Sequence, residues 1–121
     1  MGASLDLLST ALHHGTGQNR VLDELFPCSV FQGDFRPGLR LDLALKDLDL
    51  AQELAGEQQV DLFLSEPVRR LFEEARERGW GDLTVHAVVR LIEERSGVQL
   101  RSLLADVRKD GSEDAGTQGG E

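Results

Sequence analysis

Lys46 is the only lysine ahead of Lys109, and it stands in the middle of the most apolar stretch of the chain with Asp42, Asp47 and Asp49 around it. A solitary amine in that setting is unusual. Its ordinary explanation is an i, i+4 ion pair with Asp42, worth roughly a few tenths of a kcal/mol on a helix surface. A second stretch, Gly15-Thr16-Gly17-Gln18-Asn19, is rich in backbone donors and leads into a helix start, an arrangement that holds anions and carboxylates. Two glycines after a helix also mark a plain sharp turn, and both readings stay open. His13 and His14 are neighbours at the end of a helix, where the carbonyl end of the dipole favours a positive imidazole. Successive helical side chains point about 100° apart, so the two rings do not converge on one metal. His86 brings no ligand partner with it in sequence. Cys28 becomes a nucleophile only if the fold brings it a base, and beside Phe26 and Val30 it reads as a packing residue. No catalytic residue and no metal site emerges from these types and spacings.

The elements that position these residues read as about five helices and no sheet, an all-α compact bundle. Leu, Ala, Glu, Gln and Arg abound while β-branched and aromatic residues are sparse, and Gly and Pro punctuate the helices. The first helix is expected over residues 5–14, capped by Ser4 and stopped by a left-handed Gly15. The second is expected over 18–25, closed by Phe26-Pro27, with a loop over 28–38. The third, over 39–58, carries Leu41, Ala44, Leu45, Leu48, Ala51 and Ala55 at helical spacing, widened by Leu43, Leu50 and Leu54. A connector at 60–64 precedes a fourth helix from a Ser65 cap to Gly79, with an apolar stripe of Val68, Leu71, Phe72 and Ala75. Asp82 is expected to cap a fifth helix to about Arg95, with Leu83, Ala87, Val88, Leu91 and Ile92 inward and Gly97 as its stop. Leu100, Leu103, Leu104 and Val107 extend the apolar pattern. The division expected is a helical domain over residues 1–105 and a disordered polar tail over 106–121.

Composition removes several classes of function. The 121 residues carry 22 Asp and Glu against 13 Lys and Arg, a net charge of −9, so neutralising nucleic-acid phosphates is excluded as a role, and an acidic membrane surface repels the chain. No run approaches the roughly 18 apolar residues of a spanning helix. The single cysteine cannot close an intrachain disulfide, which together with the absence of a signal-like start points to a cytoplasmic setting.

One segment resembles a known family. Lys46-Asp47-Leu48-Asp49-Leu50-Ala51-Gln52-Glu53 is similar to the cofactor-contacting segment of the β-hydroxyacid dehydrogenases, the group of 3-hydroxyisobutyrate dehydrogenase and tartronate semialdehyde reductase. Upstream, residues 5–19 resemble the family's helix leading into a Gly-Ser/Thr-Gly loop, and Gly33-Asp34-Phe35-Arg36-Pro37-Gly38 resembles the loop before the Lys-Asp-Leu helix. The resemblance covers about residues 3–101, with Glu53 where the family has Asp. The family's Rossmann domain with its Gly-x-Gly-x-x-Gly turn, its Ser/Gly-rich substrate segment and its long helix with the catalytic lysine have no counterpart here. Gly2-Ala3 thus reads as the remnant of a truncated junction, and Lys109, in the polar tail, is no candidate proton donor.

The resemblance implies the helical fold of the 6-phosphogluconate dehydrogenase C-terminal domain and an NAD(P)-dependent oxidoreductase, with hydride transfer between a nicotinamide and a short β-hydroxy acid. It implies that Lys46 contacts NAD or NADP, and that Asp47, Gly15, Thr16, Gly17 and Phe35 border the substrate pocket, with Phe31 a further candidate for its rim. Alone, the chain is expected to be inactive and to bind cofactor weakly. Its expected partner is a Rossmann-domain chain or a second copy. The alternative is a stand-alone homodimerisation or interaction module derived from such an enzyme. Either way, Leu41, Leu45 and Leu48 are expected to present the apolar surface that the absent long helix covers.

Overall fold

The structure, a computed structural model, describes residues 2–102; the apolar extension at Leu103, Leu104 and Val107 and the polar tail lie outside the described residues. It is all-α: among the described residues the only β feature is an isolated bridge between Arg40 and Thr84. Two compact units are present, one of Met1–Asp34 with the chain from Leu100, the other Phe35–Gln99.

In the first unit, α1 (Leu5–His13) begins where the Ser4 hydroxyl accepts from the Leu7 amide at 3.4 Å, with Asp6 in the positive first turn. Its end differs from expectation. His14 takes the C-cap with a right-handed φ of −92°, and Gly15, whose amide donates to the Leu12 carbonyl at 3.1 Å, is not left-handed. The second expected helix is a single π-helical turn, Val21–Leu25, because the Asn19 carboxamide caps Leu22 at 2.9 Å and Pro27 removes a donor soon after. Residues 28–38, expected as loop, contribute to two 3-10 turns, Phe26–Cys28 and Val30–Gln32. They build the unit's core: Val30 and Phe31 are buried, and Phe26 meets Phe31 edge-to-face at 5.9 Å. Gly33 ends the second turn at φ +65°, and a Cβ there would fall 2.8 Å from Arg101 Nε, so both backbone and space demand glycine. Arg101 Nη1 in turn donates to the Val30 carbonyl at 3.0 Å.

The second unit is built on α2 (Leu41–Glu57), α3 (Ser65–Ala75) and α4 (Val89–Ser96). Leu41, Ala75, Ala87 and Leu91 form its buried core, with Phe35, Leu71, Phe72, Trp80, Leu83 and Val88 packed around them. No side chain caps α2. Its orphan amides are met by backbone instead: Leu41 donates to the Leu83 carbonyl at 2.9 Å and Asp42 to that of Gly81 at 3.0 Å. This clip ties the start of α2 to the turn before α4. Past Ala75, α3 widens into a π-helical turn, Arg76–Trp80, with Gly79 at φ +82°.

Several local expectations are corrected. Ser65 does not cap α3; its hydroxyl donates to the Leu62 carbonyl at 3.0 Å and accepts from Gln52. Asp82 is engaged by Arg40 at 2.5 Å, and the last helical segment starts at Val85 as a 3-10 turn before becoming α4. Four residues at about 120° each rotate the phase that follows, so Ile92 is 47% exposed and Glu93 is buried in its place. On α2, Leu41 and Leu45 are buried, while Leu43, Leu50 and Leu54 are the exposed leucines. The expected free surface therefore lies on another face of that helix. Gly97 is the left-handed stop anticipated for α4, at φ +67°.

Candidate functional site

Lys46 and Asp47 lie on the exposed side of α2, one turn past its clipped start. The clip also decides their electrostatics. Asp42, the carboxylate in i, i+4 position, turns toward the backbone of Gly81 and lies 3.5 Å from Arg40 Nη2, while Asp49 pairs with Arg69 from α3. The ion pair expected between Asp42 and Lys46 is thus not formed. Among the described residues the Lys46 ammonium has no ion-pair partner within 4 Å, which leaves its charge available to a ligand.

Phe35, at the head of the same unit, packs against the core, and the Arg90 guanidinium lies 5.6 Å from its ring and 4.3 Å from the ring of Trp80. An Arg held between two aromatic faces fixes both rings, a device that chain order does not announce because Phe35, Trp80 and Arg90 come from three separate elements.

Gly15, Thr16 and Gly17 belong to the other unit, as an exposed turn after α1. Gln18 donates to the Gly15 carbonyl at 3.3 Å and Asn19 Nδ2 to that of Gly17 at 3.0 Å, so the stretch is ordered as a turn by its own polar groups. Lys46 and Asp47 are thus neighbours on one helix, and Phe35 shares their unit. Phe31, a candidate for the pocket rim, is instead buried in the first unit's core.

One constellation was not legible in the sequence. His13 Nδ1 lies 3.0 Å from Asp23 Oδ1, at a small polar cavity of about 210 Å³ lined also by Ser9, Thr10, Leu22 and Pro27. The His13 hydrogen bond, with a smaller one from Gln18, holds the Asp23 carboxyl below its usual value. The Gly15-to-Gly17 turn folds Asp23 back onto α1, and ten residues of spacing carry no signal for that. The His13 and His14 rings meet edge-on at 5.0 Å, and among the described residues no group of three or more His, Cys, Asp and Glu could hold a metal ion. Cys28, expected to pack, is exposed, because the turns around it point Val30 and Phe31 inward. His86 is partly buried, which pushes its pKa below the ordinary histidine value. No helix among the described residues is long and apolar enough to cross a membrane.

Comparison with known proteins bears on what this arrangement serves. Residues 1–92 match the family described as NAD-binding of NADP-dependent 3-hydroxyisobutyrate dehydrogenase. The 2-(hydroxymethyl)glutarate dehydrogenase of Eubacterium barkeri is 27% identical over 99 residues, covering 82% of this chain and 33% of that protein. The crystal structure of 3-hydroxyisobutyrate dehydrogenase from Salmonella typhimurium superposes with a TM-score of 0.67 at 27% identity, over 74% of this chain and 31% of that one. The chain thus spans about a third of the length of these relatives. With the family match running through α1, α2, α3 and into α4, the chain belongs to the β-hydroxyacid dehydrogenase family, whose members use NAD or NADP.

Proposed function

We propose that this chain is the helical, C-terminal part of an NAD(P)-dependent β-hydroxyacid dehydrogenase, with the nucleotide-binding and proton-donating parts supplied outside its 121 residues. The observation that carries the reading is Lys46: an exposed ammonium on α2, released from Asp42 by the Gly81 clip, inside a segment that resembles the family's cofactor contact. The described residues fit one edge of a nicotinamide dinucleotide. A single unneutralised ammonium suits a phosphate, a ribose hydroxyl or a carboxamide oxygen. They do not fit the whole cofactor, since the described residues hold no strand running into a glycine turn and helix start to cradle a pyrophosphate. When bound across both parts, the cofactor supplies hydride transfer to or from a short β-hydroxy acid. This chain's share is to position: Lys46 holds the cofactor, and Asp47 and Phe35 of the same unit border the substrate.

Amide shift mapping of the full chain with millimolar NADPH and NADH tests this. Weak saturable shifts centred on Lys46 and Asp47, lost in Lys46→Ala, are the expected result; shifts elsewhere, or none, overturn it.

A second reading, favoured by the exposed stripe of Leu43, Leu50 and Leu54 on α2, is self-association through that face. A sedimentation profile that stays monomeric at tens of micromolar, or that Leu50→Ser does not alter, removes it.

A further inference from the structure

Arg90 stands near the start of α4 with glutamates three and four residues on, the spacing at which helical side chains form ion pairs. It pairs with neither. Glu93 is buried, and Glu94 is held by Arg78, which also takes Glu74. Arg95 shares Glu74, so these two carboxylates already serve two guanidinium groups. In the same unit Arg40, Arg69, Arg70, Arg76, Arg78 and Arg95 each hold a carboxylate, whereas the Arg90 guanidinium has no ion pair or hydrogen bond among the described residues. Neither the 3-10 turn Val85–Val88 nor α4 has an acidic residue in its first turn to answer that charge.

The side chain is fixed by rings instead, 4.3 Å from the centre of Trp80 and 5.6 Å from that of Phe35. A guanidinium directs its N–H groups within its own plane, so ring contact covers its faces and leaves the donor edge of the fork usable. Half-buried, that edge is screened less than a surface arginine's. Its chemistry selects the ligand. The fork matches the two oxygens of a carboxylate, and one uncompensated positive charge matches one negative charge. A chain of net charge −9 penalises a dianion such as phosphate more than a monoanion. The Phe35 and Trp80 rings supply apolar walls for a short hydrocarbon body. We propose that Arg90, held by Phe35 and Trp80, is a binding site for the carboxylate of a small, free organic acid. The site rests on Arg90 and not on Lys46 or the cofactor reading.

The full chain is titrated with butyrate, with butyramide as its uncharged isostere, with inorganic phosphate, and with chloride to match ionic strength. The signals are the Arg90 Nε–H resonance and the emission of Trp80, the single tryptophan. Butyrate is expected to shift both saturably, at least about fivefold more tightly than phosphate, while butyramide and chloride give no saturable change. Arg90→Lys keeps the charge and loses the fork, and should weaken butyrate by about fivefold or more with helical circular dichroism unchanged. If that variant loses its helical signal, the Nε–H shift in the parent still decides. Lys46→Ala should bind butyrate like the parent even as it loses the cofactor shifts, which separates the two readings. Butyramide binding as tightly as butyrate, shifts that bypass the Arg90 Nε–H, or butyrate binding lost in Lys46→Ala overturns the proposal. Phosphate binding as tightly as butyrate overturns it as well, since the site then reads charge alone. Affinity that rises about tenfold on removal of residues 103–121 overturns it too, giving the fork to a carboxylate of the chain's own end.

Discussion

The carboxylate of Asp42 lies directly over the α-carbon of Gly81, while the Asp42 amide donates to the Gly81 carbonyl at 3.0 Å. A Cβ on residue 81 would fall 2.6 Å from Asp42 Oδ2 and 2.7 Å from Cγ. The glycine is needed for closeness and not for conformation, since its φ of −56° suits any residue. Asp42 Oδ1 is buried there with no hydrogen-bond partner among the described residues, so its contact with Gly81 is steric, while Oδ2 keeps an exposed ion pair with Arg40 at 3.5 Å.

From this, Gly81→Ala should destabilise by about 1–2 kcal/mol, with Asp42 or the clip forced aside. Asp42→Ala, which removes an unsatisfied oxygen, should change stability by no more than about 0.5 kcal/mol. In the double variant the Gly81→Ala penalty should largely vanish. Urea unfolding of the four proteins measures the coupling, and additive losses would show that the carboxylate is not the obstacle.

Arg90 holds Trp80 and Phe35 together. Arg90→Ala should cost about 1–2 kcal/mol, through lost stacking and lost cover over the two rings, and Arg90→Lys should recover only part of it. Trp80 is the single tryptophan, so its emission should shift to longer wavelength in Arg90→Ala as the indole gains water. An unchanged spectrum would mean that the guanidinium does not shield it.

Lys46→Ala should leave the melting curve nearly unmoved, within about 0.5 kcal/mol, because the ammonium is exposed and forms no ion pair among the described residues. The same substitution should erase the NADPH-dependent shifts. A large stability loss would assign the side chain a structural role instead.

Acid should uncover the His13–Asp23 contact. The folded state holds Asp23 below its usual value of 3.8, so across that range the unfolded chain binds more protons. Its contribution is present above the unfolded value and is lost as pH falls through the lower, folded one. Urea midpoints measured from about pH 5 to about pH 3 should fall, and Asp23→Asn should flatten that segment of the profile. His86, held below its usual 6.5 by burial, loses its contribution in a separate window beneath that value, which His86→Gln should remove without altering the acid limb. An acid limb identical in Asp23→Asn would mean that the contact does not survive in solution.

Helical class, the starts of α1 and α2, the left-handed stop at Gly97 and the distinctive segment around Lys46 were legible in the sequence alone, because periodicity, caps and a solitary amine are local properties. Tertiary structure decided the rest. A repeat near 3.6 residues sets the relative phase of side chains but not which face is covered, and α2, whose leucines fall on more than one face, buries Leu41 and Leu45 while exposing Leu43, Leu50 and Leu54. The backbone of Gly81 and Leu83 capped α2 where no side chain does, took Asp42 away from Lys46, and so freed the amine. A 3-10 start rotated α4 and exchanged Ile92 for Glu93. His13 met Asp23, and Arg90 met Trp80 and Phe35, only because the chain turned back on itself. Hydrogen bonds and ring contacts act over a few ångströms, and separation along a chain does not specify which distant groups come that close.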